Sequence, residues 1–155
     1  MIIETIAADY AALLNDHAPR DLALADTPIA PREILDMLAG LAERIRADFA
    51  PASWLIVEGG EVSGLCSITR PPEHGVIDIG YGIAPSRRRR GIATRAIGEI
   101  VAWARTAAHV SAITAETAID NFASQQVLAR NGFVRTGERF DMEDGQLICW
   151  RHALD

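Results

Sequence analysis

The sequence predicts an α/β (α+β) fold in which a mixed, mostly antiparallel sheet is flanked by helices. Two observations carry that prediction. Strand-forming runs meet at Gly59-Gly60 and at Asp144-Gly145, and such pairs read as antiparallel hairpins. The most regular helical pattern, over 90–107, lies between two further strand-forming runs. A strand–helix–strand unit of that kind requires parallel pairing. The 155 residues suit one domain, expected to span 1–155.

Taken in order, residues 2–6 read as a short strand and 9–14 as a helical turn. Residues 17–30 hold two prolines and scattered charges, and read as a loop or broken helix. Pro31 suits a first helical position. Ile34, Leu38, Leu41 and Ile45 then recur at helical spacing and predict the buried face. Residues 53–58 and 62–70 are strands joined at Gly59-Gly60, and Pro71-Pro72 stops the second. Residues 76–83 form the next strand, ended by Pro85.

In the helix over 90–107, Ile92, Ala96, Ile97, Ile100, Val101 and Ala104 share one side, wide enough to cover a sheet. Residues 111–117 alternate as a strand, and 122–130 form a second helix closed by Asn131-Gly132, a left-handed cap. Residues 133–140 and 146–153 are the final hairpin.

Hydrophobic residues make up 49% and charged residues 23%, so wholesale disorder is excluded. The net charge of −6 argues against a general nucleic-acid binder, which needs a basic face. Cys66 and Cys149 both sit in apolar stretches and read as buried thiols in a reducing compartment. The four histidines show no metal-ligand spacing, so no metal is expected. The start, Met-Ile-Ile-Glu-Thr-Ile, shows no secretory signal pattern, and no apolar stretch is long enough to span a bilayer. A cytoplasmic protein without membrane contact is expected.

The chemistry concentrates between Ile83 and Thr94. A strand, a short loop and a helix start meet there, and the first helical turn leaves N–H groups unpaired. Such an end holds phosphate. Gly91 lets a diphosphate approach the backbone, Ala93 is nearly as small, and arginines surround both. The nucleotide fingerprints are absent: there is no Gly-x-x-x-x-Gly-Lys, and Pro85 follows Gly80-x-Gly82 where a third glycine would be needed.

Arg88-Arg89-Arg90-Gly91-Ile92-Ala93 resembles the Arg/Gln-x-x-Gly-x-Gly/Ala pyrophosphate loop of GNAT acetyltransferases. The preceding Ile77-Asp78-Ile79-Gly80-Tyr81-Gly82-Ile83 is similar to the Glu-Ile-Gly-Tyr strand of the ribosomal-protein-alanine-acetyltransferase-like branch. Asn121-Phe122-Ala123-Ser124, Val127-Leu128 and Asn131-Gly132-Phe133 resemble that branch's Asn-x-x-Ser … Val-Leu-x-x-x-Gly-Phe signature. The resemblance is strongest over 76–140 and extends more weakly over 53–75.

The resemblance implies an N-acetyltransferase that moves an acetyl group from acetyl-CoA to a primary amine in a ternary complex. It implies that the backbone N–H groups of Arg89, Arg90, Gly91, Ile92, Ala93 and Thr94 hold the pyrophosphate, with Arg88 also among the cofactor-binding residues. Ile83 and Ala84 would pair with the pantetheine arm like an added strand, and Asn121 and Ser124 would lie near its thiol end. Ser124 would hydrogen-bond the departing thiolate. A general base is needed because a protonated amine has no lone pair. Glu116 is the first choice and Asp78 the second. Some family members carry a tyrosine acid five residues before the Phe of Gly-Phe, but Leu128 stands there in this chain. The acceptor is a small-molecule amine or a protein N-terminus, and a homodimer is expected as an option. Two rivals remain: a non-catalytic acyl-CoA-binding module of the same fold, and a nucleic-acid contact made by Arg87–Arg90.

Overall fold

The computed structural model describes residues 1–154; Asp155, the last residue of the expected domain, lies outside the described residues. Eight strands form one sheet. They are β1 (Ile2–Glu4), β2 (Ala23–Leu24), β3 (Ser53–Glu58), β4 (Glu61–Ile68), β5 (Val76–Ile83), β6 (Ala112–Ala118), β7 (Val134–Asp141) and β8 (Gly145–Ala153). Four helices accompany them: α1 (Ala7–Leu14), α2 (Arg32–Arg46), α3 (Ile92–Thr106) and α4 (Phe122–Arg130). The sheet order is β1-β3-β4-β5-β6-β8-β7, with β2 beside β4. Pairing is antiparallel except for β5 with β6 and β2 with β4. This is the α+β arrangement expected from the two hairpins and the α3 crossover.

Alternation along the strands divides the core. Trp54 points to the α3 side, its ring 5.1 Å from that of Trp103, and the apolar face of α3 is buried as its sequence pattern predicts. Ser53, one residue earlier, faces α1, where its Oγ lies 2.7 Å from the Tyr10 hydroxyl. α1 and α2 therefore cover one face of the sheet and α3 and α4 the other.

The structure corrects several expectations. α2 buries Leu35, Ala42 and Ile45, while Ile34 is 42% exposed. Ile45 is buried, and Leu38 and Leu41 pack partly buried against the core as expected, so only Ile34 departs from the expected face, which turns slightly toward Leu35 and Ala42. Of the two expected readings, loop or broken helix, the segment before α2 is the loop, with the two-residue strand β2 added within it. α3 begins at Ile92, because Gly91 adopts a left-handed φ of 75° that helical backbone does not allow. Cys149 is half-buried instead of buried, whereas Cys66 is fully enclosed.

Candidate active site

The parallel pairing of β5 with β6 stops early. It runs from Val76↔Ala112 to Ile79↔Ala115, yet both strands continue. Beyond this point Gly80–Ile83 stays with β4, and Glu116–Ala118 stays with β8. The sheet thus opens into a fork.

The antiparallel ladder between β4 and β5 fixes which backbone groups face that fork. Thr69 N–H donates to Asp78 O at 2.9 Å, and Ala84 N–H to Ser63 O at 2.8 Å. In an antiparallel ladder, alternate residues bond to one neighbour and the residues between them point away from it. The even-numbered residues of β5 therefore bond to β4, and the odd-numbered ones face β6. Past Ile79, the N–H and C=O groups of Tyr81 and Ile83 face the fork with no strand opposite. The structure separates the two residues expected to pair with a pantetheine arm. Ile83 has the required orientation. Ala84 does not: its N–H is taken by Ser63, and its carbonyl accepts from Arg87 N–H at 2.8 Å. Tyr81 takes its place, a residue that period-2 alternation from Ile83 would have located.

The fork leads into a cleft of about 660 Å³ between the β5–α3 turn and α4. That volume is within the usual range for small-molecule sites. Ile83, Arg88, Arg89, Gly91, Ile92, Ala93, Thr94, Asn121 and Ser124 all line it, so the structure brings most of the expected binding residues together. Ala84 and Arg90 are the exceptions; the exposed Arg90 has its carbonyl accepting from Arg95 Nη1 at 3.1 Å. Arg89 and Gly91 both have positive φ, 65° and 75°. Left-handed backbone costs a non-glycine residue about 1–2 kcal/mol, and such strain gathers at functional turns. The turn delivers the chain into α3 with its first N–H groups facing the cleft. The left-handed φ of Gly91 favours a residue without a Cβ, whereas the nearest atom to an added Cβ is only the movable end of Arg95.

The arginine run divides by role. Arg87 is committed inside the protein, to both Glu61 oxygens at 2.6 and 3.0 Å and to Asp26 at 3.2 Å. Arg88 donates to the Ile83 carbonyl at 3.3 Å. Among the described residues, no ion pair engages Arg88, Arg89 or Arg90, which leaves three exposed cations around the cradle.

Asn121 caps α4, its Oδ1 accepting from Ser124 N–H at 3.2 Å. Ser124 Oγ lies 2.7 Å from the Tyr81 hydroxyl. Burial pushes the Tyr81 phenol up to about 12. Leu128 is fully buried.

The two acidic candidates lie elsewhere. Asp78 is three residues from Tyr81 and so points to the opposite face of the sheet. It is buried, accepts from Thr114 Oγ1 at 2.6 Å and from the Thr69 hydroxyl, and has Arg70 3.6 Å away. Glu116 shares that face and stands where the fork opens. Arg139 binds both its oxygens, with Nη2 2.8 Å from Oε1, and Cys149 Sγ lies 3.7 Å from Oε2. Hydrogen bonding from Arg139 holds the Glu116 carboxyl below the usual carboxylate range, against an opposing effect of burial. Burial and the Glu116 charge push the Cys149 thiol up, so it is not an activated nucleophile. Neither carboxylate lines the cleft, and both are already engaged. No local pattern signals this, because Arg139 and Thr114 reach them only through strand pairing.

A second cavity of about 340 Å³ lies under residues 24–32, lined by Leu13, Leu24, Ile29 and Leu35. Among the described residues, no helix is long and apolar enough to cross a membrane.

Comparison with known proteins agrees with this geometry. The model of the acetyltransferase (GNAT) domain matches residues 2–134. An uncharacterized N-acetyltransferase of Bacillus subtilis strain 168, YjdG, is 36% identical over 85 residues. The match takes in 53% of this chain and spans about half, 51%, of that protein. The ribosomal-protein-alanine N-acetyltransferase of Brucella melitensis superposes with a TM-score of 0.70 at 21% identity, covering 99% of both chains. RimL, a ribosomal L7/L12 alpha-N-protein acetyltransferase solved in complex with coenzyme A, gives 0.70 at 19% identity, over 96% of this chain and 84% of that one. Identities this low carry the fold alone.

Proposed function

Because the chain belongs to the GNAT acetyltransferase family, we propose that it transfers an acetyl group from acetyl-CoA to a primary amine by direct attack in a ternary complex. One observation supports this above the others. The backbone of Tyr81 and Ile83 faces the fork with no strand opposite, and the short turn that follows leads to the left-handed Gly91 and the start of α3. A substrate with a hydrogen-bonding arm and a diphosphate matches that sequence of donors.

In this reading the α3 N-terminus and the N–H groups from Arg89 to Thr94 hold the pyrophosphate. Arg88 and Arg89 add charge, and Ile83 and Tyr81 pair with the arm in place of the missing strand. Asn121 fixes the first turn of α4, and Ser124 faces the thiol end. A backbone N–H in the fork polarises the thioester carbonyl. The amine nitrogen bonds to the acyl carbon and the carbon–sulfur bond breaks with its electron pair on sulfur.

Glu116 takes the amine proton, through water, since it stands at the fork. Asp78 is the weaker choice, because two hydroxyls and an arginine already surround it. The acceptor is a small amine or a protein N-terminus; RimL acts on a ribosomal protein. The reading also includes a homodimer formed over β7, where Val134 and Phe140 are 62% and 69% exposed. Sedimentation of the wild type and of Phe140→Glu checks it; two monomeric samples would remove it.

The deciding experiment follows free-thiol release from acetyl-CoA over a panel of amines. Wild type is expected to turn over, and Glu116→Gln to lower kcat by about 10²-fold, the usual scale for a general base. Equal rates in Glu116→Gln and wild type would remove the base assignment. A non-catalytic acyl-CoA binder is favoured by one observation, that both carboxylates are engaged. CoA binding without thiol release from any amine would establish it.

A further inference from the structure

Tyr81 and Ser124 join β5 to α4 across the cleft. The tyrosine oxygen lies 2.7 Å from Ser124 Oγ and 3.2 Å from the Ser124 carbonyl oxygen, so both of its contacts are with one residue. Burial keeps the phenol protonated across the working pH range. A phenol has a single proton to give. Given to Ser124 Oγ, the shorter contact, and not to the carbonyl oxygen, it leaves the serine hydroxyl proton free to turn into the cleft. An anion forming in the cleft selects that direction, because hydrogen-bond chains polarise one another toward the charge. α4 has no phenol of its own at this depth, since Leu128 faces the core.

We propose that Tyr81 is a positioning residue for acyl transfer, whose hydroxyl donates to Ser124 and thereby aims the Ser124 proton at the leaving sulfur. This rests on the acetyl-transfer reading given above. As the carbon–sulfur bond breaks, the electron pair on sulfur accepts a hydrogen bond from Ser124. The sulfur later takes its proton from solvent, and the amine gives up its own proton separately. Tyr81 keeps its proton throughout, since a phenol raised by burial is a weaker acid than a thiol. The contribution is orientation, which belongs to the transition state and not to binding of the intact thioester.

A double-mutant cycle on the full chain tests this, with an amine on which wild type turns over. Tyr81→Phe is expected to lower kcat about tenfold, the loss of one charge-directed hydrogen bond, with KM for acetyl-CoA within about twofold of wild type. In a Ser124→Ala background the same substitution is expected to change kcat by less than about twofold, because the residue it acts through is gone. An equal loss in both backgrounds would mean a packing role and overturn the proposal, as would an unchanged kcat in Tyr81→Phe alone. A wild type that releases no thiol with any amine overturns the parent reading together with this one. A wild type that turns over, with Tyr81→Phe equally fast, overturns this one alone.

Discussion

Asp9 shows how one side chain ties the first elements together. Its carboxylate accepts from Ile6 N–H at 2.8 Å, at the start of α1, and from Arg20 Nε and Nη2 at 3.0 Å. Burial would raise this carboxyl, but the Arg20 and Ile6 hydrogen bonds and nearby positive charge outweigh it, and the net direction is down. A carboxyl lowered in the folded state adds stability above its unfolded value, near 3.9, and loses it as pH falls through the folded value. Asp9→Asn is therefore expected to cost about 2–3 kcal/mol at neutral pH. The gap to wild type should close in acid, as denaturant titrations at pH 7 and below pH 4 would show; a gap constant with pH would sink the account. Glu116 obeys the same sign. Lowered by Arg139, it stays ionised through neutral pH, so an acid limb in kcat/KM between about pH 6 and 9 belongs to the acceptor amine. Acceptors of different basicity should move that limb, and one fixed across acceptors would point to a protein group.

At the scale of elements, the β5–α3 turn governs the site. Gly91 is held at φ 75°, where an alanine costs about 1–2 kcal/mol. Gly91→Ala should lower Tm by about 2–8 °C and weaken CoA binding by roughly tenfold or more, because the N–H groups leave their positions. Calorimetry with CoA checks both, and unaltered affinity would place the phosphates elsewhere. Much of this was legible beforehand. Gly91 and the α3 stripe mark the cradle in the sequence, and β5 and α4 have the boundaries their patterns predict. The α2 face was legible except at its first turn, where Leu35 and not Ile34 is buried, because packing against the sheet sets the helix rotation. The pairing of Ala84 was not legible, because ladder phase depends on a partner strand distant in sequence.

Across the whole molecule, Arg87 connects regions far apart in the chain. It binds Glu61 at the start of β4 and Asp26 in the segment before α2. Beside it, Thr27 Oγ1 lies 2.9 Å from Ser86 Oγ and accepts from Ser86 N–H at 3.0 Å. The segment over 24–31 is thereby fastened to the turn that leads into the cradle. Arg87→Ala should release it, seen as faster limited proteolysis between 20 and 31. CoA affinity should change little, since the guanidinium serves Glu61 and Asp26. A large loss of affinity with no change in proteolysis would make Arg87 a phosphate ligand instead.

The sequence by itself determined the family, the main strands and helices apart from β2, and the glycine turn that opens α3. These depend on local signals: glycine at a left-handed position, apolar spacing, unpaired donors at a helix start. Only the tertiary structure decided that Tyr81 and not Ala84 faces the fork, that Ser124 meets Tyr81, and that Asp78 and Glu116 are held by partners on the far face. Those outcomes depend on strand register and on which face of the sheet each helix covers. The contacts that settle them join residues dozens of positions apart, which no local pattern encodes.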